Sequence, residues 1–177
     1  MKNFLFMFFV VAVLGTTSQK AFAQYEKGDK LLNLGINLGG TYGGGGIGLG
    51  ASYEAGVHDF ISVGAQADFT TWSYGGFSGY KWRYNFFTIA ARGSYHYGKH
   101  FLTMDNLDLY AGPALGYRIS SYSTPDGFSG IYDDGYGSGV FFGVFAGARY
   151  YFKPTMGVFA EVGYNASPLK AGITFKF

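Results

Sequence analysis

The sequence predicts an all-β fold: an eight-stranded antiparallel transmembrane up-and-down β-barrel, preceded by a cleaved signal peptide. Three observations carry that expectation. At the C-terminus, Ala171, Ile173, Phe175 and Phe177 alternate strictly with Lys170, Gly172, Thr174 and Lys176, the period-two signature of a strand with one apolar face. A soluble domain seldom finishes on an exposed Phe, whereas aromatic rings settle readily at a membrane interface. At the N-terminus, Lys2 precedes an apolar run from Phe4 to Gly15, and Ala21-Phe22-Ala23 forms a small-x-small cleavage site. That run is shorter than the roughly 20 residues of a spanning helix, so it reads as a leader over residues 1–23, with the barrel domain over 24–177. Finally, 21% aromatic residues, 30 Gly and only 14% charged residues suit a barrel with rings at its interfaces and small residues in a crowded interior.

Eight alternating segments fill the mature chain. The first, about 31–39, opposes Leu32, Leu34, Ile36 and Leu38 to Asn33, Gly35 and Asn37. The second, about 47–57, opposes Ile47, Leu49, Ala51, Tyr53 and Ala55 to Gly48, Gly50, Ser52 and Glu54. The third, about 61–72, sets Ile61, Val63, Ala65, Ala67 and Phe69 against Ser62, Gly64, Gln66 and Asp68. The fourth, about 84–97, sets Phe87, Ile89, Ala91 and Tyr95 against Thr88, Ala90, Arg92, Ser94 and His96. In the fifth, about 108–121, Leu109, Ala111, Leu115, Tyr117 and Ile119 face away from Tyr110, Gly112, Ala114, Gly116 and Arg118. Pro113 lies within it and cannot donate to a ladder, which predicts a bulge or a local lapse in pairing. The sixth, about 140–152, opposes Phe142, Val144, Ala146, Ala148 and Tyr150 to Gly143, Phe145, Gly147, Arg149 and Tyr151. The seventh, about 156–165, opposes Val158, Ala160, Val162 and Tyr164 to Phe159, Glu161, Gly163 and Asn165. The C-terminal segment is the eighth.

Each segment is close to the roughly 9–11 residues a tilted strand needs to span a bilayer. An even strand count and closure follow, because an open edge in lipid would strand backbone donors and acceptors. With both chain ends on the periplasmic side, the links at 57–60, 98–107 and 153–155 are periplasmic. Those at 40–46, 73–83, 122–139 and 166–168 face outward, giving longer loops outside than inside.

Two of the thirteen Lys and Arg, Lys2 and Lys20, lie in the leader, leaving eleven cations against eleven acids. A neutral chain offers no electrostatic reason to bind nucleic acid. Without Cys there is no disulfide, thiolate metal site or lipidated cysteine, and no cofactor is implied. Glu54, Asp68 and Glu161 are expected inside the barrel, facing Arg92, Arg118, Arg149 and Lys170. An eight-stranded interior holds little beyond its own side chains, so the expectation is a salt-bridged core rather than an ion path. Three acids against four bases leave it net positive, and room for water or an anion stays open.

The three histidines, His58, His96 and His100, fall in or near periplasmic turns, away from any outer Ser or Asp. A Ser/His/Asp arrangement is therefore not expected, and the chain reads as non-enzymatic. Gly43-Gly44-Gly45-Gly46-Ile47-Gly48 satisfies a dinucleotide-binding spacing by accident, since a strand follows it. Asn165-Ala166-Ser167 is a glycosylation pattern of little weight. Asp126, Asp133 and Asp134 lack calcium-loop spacing. The outer loops hold the recognition candidates: Tyr74, Phe77, Tyr80 and Trp82 in one, Tyr122, Phe128, Tyr132 and Tyr136 in another. Tyr among Gly and Ser suits a binding loop; an aromatic belt reaching the lipopolysaccharide boundary is the competing explanation.

The leader, the eight alternating segments and the terminal Phe175-Lys176-Phe177 together resemble the outer membrane protein β-barrel domain family, particularly OmpX-like barrels and the transmembrane domain of OmpA-like proteins. Residues 147–152 and 159–164 carry most of the likeness. The resemblance implies a Gram-negative outer-membrane location among lipid and lipopolysaccharide. It also implies insertion by the barrel-assembly machinery, which would read Ile173, Phe175 and Phe177. A wall-binding domain of the OmpA-like kind is not expected after the barrel. The expected function is structural or adhesive, through the outer loops and a surface ligand of unknown identity. The alternative is a narrow porin-like channel for small solutes or ions; a lipid-modifying enzyme ranks third.

Overall fold

A computed structural model describes residues 24–40, 45–75, 81–123 and 137–177. Eight strands follow one another: β1 Lys30–Leu38, β2 Ile47–His58, β3 Ile61–Gly75, β4 Lys81–Tyr95, β5 Leu107–Ser123, β6 Gly139–Lys153, β7 Met156–Tyr164 and β8 Leu169–Lys176. Each pairs antiparallel with its neighbours in sequence, and β1 pairs β8, closing the sheet. Every backbone edge is thereby used within the wall, as a lipid environment requires.

The two-residue period sorts the side chains. Leu34, Ile36, Leu49, Phe69, Ile89, Leu115, Phe142, Val158 and Ile173 are exposed on the outside. Asn33, Asn37, Ser52, Glu54, Gln66, Asp68, Thr88, Arg92, Arg149, Glu161, Lys170 and Thr174 are buried within. The usual arrangement of a globular domain is inverted, with grease outside and polarity inside.

Gln24, where the described residues begin, and the C-terminal residues lie at the same end of the barrel, called the near end below. Two near-end turns are tight, Asp59-Phe60 between β2 and β3 and Pro154-Thr155 between β6 and β7. The third contains a short 3-10 helix, Tyr97–His100. Residues 24–29 fold across the near mouth. Gly28 N–H donates to Gly56 O at 2.9 Å and Gly56 N–H to Asp29 O at 2.8 Å. Lys176 Nζ ties the segment down, 3.3 Å from Asp29 Oδ2 and 3.2 Å from Gln24 O.

At the far end the strands are uneven. Pairing between β3 and β4 continues through Ser73↔Arg83, Tyr74↔Trp82 and Gly75↔Lys81, and Tyr84 pairs Tyr122 of β5. Ile47 of β2, however, meets Thr71, and Gly139 of β6 meets Arg118. The strands β3, β4 and β5 thus rise past their neighbours as a three-stranded lip. This corrects the sequence expectation, which placed Tyr74, Trp82 and Tyr122 in loops. Trp82, Tyr84 and Phe86 do alternate with Lys81, Arg83 and Asn85, but in the parity of the buried Phe86, opposite to the exposed Phe87 and Ile89 that marked the strand's outward face.

The expected lapse at Pro113 is present on one side alone. Pairing with β4 stops at Arg92↔Ala114 and resumes at Tyr95↔Ala111. Toward β6 the ladder is unbroken through Pro113↔Val144.

Candidate functional site

The lumen is the most organised polar region among the described residues. Glu54 of β2 is its hub. Its Oε1 lies 3.2 Å from Arg92 Nε and 3.0 Å from Arg149 Nη2, while Oε2 accepts from Ser62 Oγ at 2.7 Å. Arg92 reaches on to Glu161, with Nη2–Oε1 at 2.7 Å, and Glu161 also accepts the Tyr110 hydroxyl at 2.9 Å. Arg149 bonds Asp108 Oδ2 at 2.9 Å and Asn33 Oδ1 at 3.1 Å. Nearer the far end, Lys170 Nζ sits 2.6 Å from Asp68 Oδ1, which also accepts from Asn37 at 3.0 Å. Gln66 links the two groups, donating to Asp68 Oδ2 at 3.1 Å and to Asn165 at 2.8 Å. Arg118 Nε donates to Thr88 Oγ1 at 3.2 Å.

The three inward arginines each lie over an aromatic face. Arg92 is 3.9 Å from the Phe145 centroid, Arg149 3.8 Å from Tyr110 and Arg118 4.6 Å from Phe141. A planar guanidinium can stack on a ring while its edges donate, which lets it fill an interior that an ammonium would leave loose. Small residues make the room. A Cβ on Gly147 would come within 2.7 Å of the Tyr110 ring and hydroxyl. One on Gly50 would meet Asp68 Oδ1 and Lys170.

All seven lumen residues named from the sequence are buried side chains of one interior. The expected net positive charge is corrected by Asp108, which is buried at the near end of β5. It raises the acids to Glu54, Asp68, Asp108 and Glu161, matching Arg92, Arg118, Arg149 and Lys170. The signal was legible, since Asp108 shares its face with Tyr110; it was overlooked because it stands at the strand's first residues. Tyr25 lies before any alternating segment and gave no signal, yet it is fully buried at the near mouth.

His96 borders the near-end turn, as expected from the sequence, but its side chain is a buried lumen group. Its Nδ1 is 2.7 Å from Asp108 Oδ1 and its Nε2 2.9 Å from Ser62 Oγ. A Ser/His/Asp constellation therefore exists, contrary to the sequence expectation, which searched for partners only on the outer side. Its hydrogen-bond pattern opposes nucleophilic use. Ser62 has one hydroxyl hydrogen, and it is directed to the Glu54 carboxylate rather than held for the imidazole. Ser62 is also fully buried. His58 and His100 do lie in near-end turns, and among the described residues no cluster of His, Cys, Asp and Glu could hold a metal ion.

Of the recognition candidates, Tyr74, Trp82 and Tyr122 have backbones in the lip. Phe77, Tyr80, Phe128, Tyr132 and Tyr136 lie outside the described residues. Ile173 faces outward in β8, Phe175 pairs Met156 and Leu32 across its two ladders, and Phe177 is exposed at the end.

The closed wall and paired lumen define a class, the eight-stranded transmembrane β-barrel of the outer-membrane type. Solved structures of that fold are similar to this chain. The outer membrane protein OprG from Pseudomonas aeruginosa is 13% identical, with a TM-score of 0.54 over 88% of this chain and 98% of that one. Ail, the attachment invasion locus protein of Yersinia pestis, in complex with the heparin analogue sucrose octasulfate, is 14% identical, with a TM-score of 0.53 over 85% and 99%. Neisserial surface protein A is 17% identical, with a TM-score of 0.51 over 84% and 96%. No protein-family model matches the sequence, and no curated protein matches it.

Proposed function

We propose that this chain is a non-enzymatic outer-membrane barrel that works by binding at the cell surface, through the far-end lip and the loops it carries. In this reading residues 1–23 direct export and are removed. The barrel-assembly machinery inserts the remainder, reading Ile173, Phe175 and Phe177, and outer-membrane lipid and lipopolysaccharide surround the wall. The observation that carries the proposal is the lumen. Its four buried acids are ion-paired with Arg92, Arg149 and Lys170, and Arg92, Arg149 and Arg118 fill the space between strands with guanidinium stacked on rings. Charges so placed are held by their partners at close range, which supports a packed core over a conducting path. The polar investment inside serves closure, and the lip that rises above the wall is left to meet other molecules.

Planar-bilayer recording tests this directly. The purified barrel gives no stable large openings; regular ohmic steps would support the channel reading and overturn this one. In parallel, replacing Tyr74, Tyr80, Tyr132 and Tyr136 by Ser removes binding to arrayed glycans and matrix proteins while leaving the barrel folded.

A further inference from the structure

Part of the near-end connector between β4 and β5 packs on the outside of the wall. Tyr95 points outward, and its hydroxyl meets His100 Nε2 at 2.6 Å. Phe60, from the β2–β3 turn, stacks on the same imidazole with centroids 4.6 Å apart and planes at 22°. Gly98 leaves just enough room for Leu102 and for Leu109, an outward residue of β5; a Cβ there would stand 3.0 and 3.1 Å from their side chains. Lys99 is held beside them, donating to Asp59 O at 3.0 Å with its Nζ 5.4 Å from the Phe60 centroid. Beyond this platform, Phe101 is 63% exposed and Met104 49% exposed. A water-facing turn has no use for two large apolar side chains. Lipid has, and the apolar wall of Ile61, Val63 and Tyr95 runs continuously into this turn.

We propose that the turn is a phospholipid headgroup site of the inner leaflet. Lys99 and His100 present N–H donors to a lipid phosphodiester, while Phe101 and Met104 enter the first methylenes of the acyl chains. Local donors rather than net charge select the ligand, since the acids Asp59 and Asp105 share these turns with Lys99. A cation and an imidazole held over aromatic rings match an anionic phosphate at the level where amphipathic rings partition. This inference rests on the membrane reading above, with the near end toward the periplasm.

The chain has no cysteine, so single nitroxide labels report depth cleanly. Met104→Cys, Pro154→Cys and Ile89→Cys are labelled separately and reconstituted in vesicles of phosphatidylethanolamine and phosphatidylglycerol. Collision with oxygen and with a water-soluble nickel chelate is then read by electron paramagnetic resonance. The label at 104 is expected to be shielded from nickel and open to oxygen, between the buried value at 89 and the aqueous value at 154. A label at 104 matching that at 154, with 89 still buried, overturns the headgroup site alone. An aqueous label at 89 overturns the membrane reading itself. Adding Lys99→Glu to the 104-labelled chain shifts that label toward water; an unchanged depth would show that phosphate contact plays no part.

Discussion

The ring of Tyr25 lies flat on the imidazole of His96, with centroids 3.5 Å apart and planes 3° from parallel. The phenol hydroxyl reaches past the stack to the carbonyls of His58 and Ile61, at 2.8 and 2.5 Å. One residue of the segment before β1 thereby closes the near mouth and packs on the lumen network through a single face. Replacing Tyr25 by Ala removes a fully buried ring and is expected to lower stability by about 3 kcal/mol, in the range of large-to-small changes in packed interiors. Tyr25→Phe keeps the stack and loses only the hydroxyl bonds, on the order of 1 kcal/mol. Urea unfolding in detergent micelles measures both, and an unshifted midpoint for the Ala variant would show that the mouth is not closed this way.

Arg149 is fully buried between two carboxylates. Arg149→Met removes the charge but leaves Glu54 and Asp108 facing the gap, an expected loss of about 3–5 kcal/mol. Adding Asp108→Asn to the same chain removes one of the stranded charges and restores part of that loss. The two changes are therefore strongly non-additive. Additive midpoints in the double-mutant cycle would mean that the pair is not coupled.

Ser62 tests the reading of the constellation around His96. With its hydrogen on Glu54 and its side chain buried, it is not expected to react with a fluorophosphonate probe, in detergent or in vesicles. Ser62→Ala instead weakens the fold, by roughly 1–3 kcal/mol for leaving Glu54 short of a donor. Covalent labelling at Ser62 would return the enzyme reading to the front.

Gly147 faces the Tyr110 ring across the β5–β6 ladder. Gly147→Ala pushes that ring from its place beneath Arg149 and away from Glu161, an overpacking expected to cost about 1–3 kcal/mol. Near-ultraviolet circular dichroism registers the displaced tyrosine. A spectrum and an unfolding midpoint both unchanged would mean that the interior has slack.

Much of the architecture was legible in the residues. Leu32 to Leu38, Ile47 to Ala55 and Val158 to Tyr164 alternate because one face meets grease and the next does not, and a strand's period transmits that contrast directly into sequence. Segment ends were less legible. Ser73, Tyr74 and Trp82 read as loop, since the aromatic alternation there runs in the opposite parity to the outward apolar face that delimits the strands below. The lumen was half legible. Parity placed Glu54, Arg92, His96, Arg149 and Glu161 on inward faces, while Asp108 was hidden by its position at a strand end and the partners of His96 lie on other strands.

By itself the sequence determined that eight strands would form, which face of each would turn outward and that charge would lie within. Period-two alternation is a local property, carried by neighbours along the chain. Only the tertiary structure decided which charges meet. The partners Glu54 and Arg149, or Gln66 and Asn165, are brought together by closure and by the stagger of the ladders. Stagger is a sum over every turn and bulge around the barrel, and no single stretch of residues contains it.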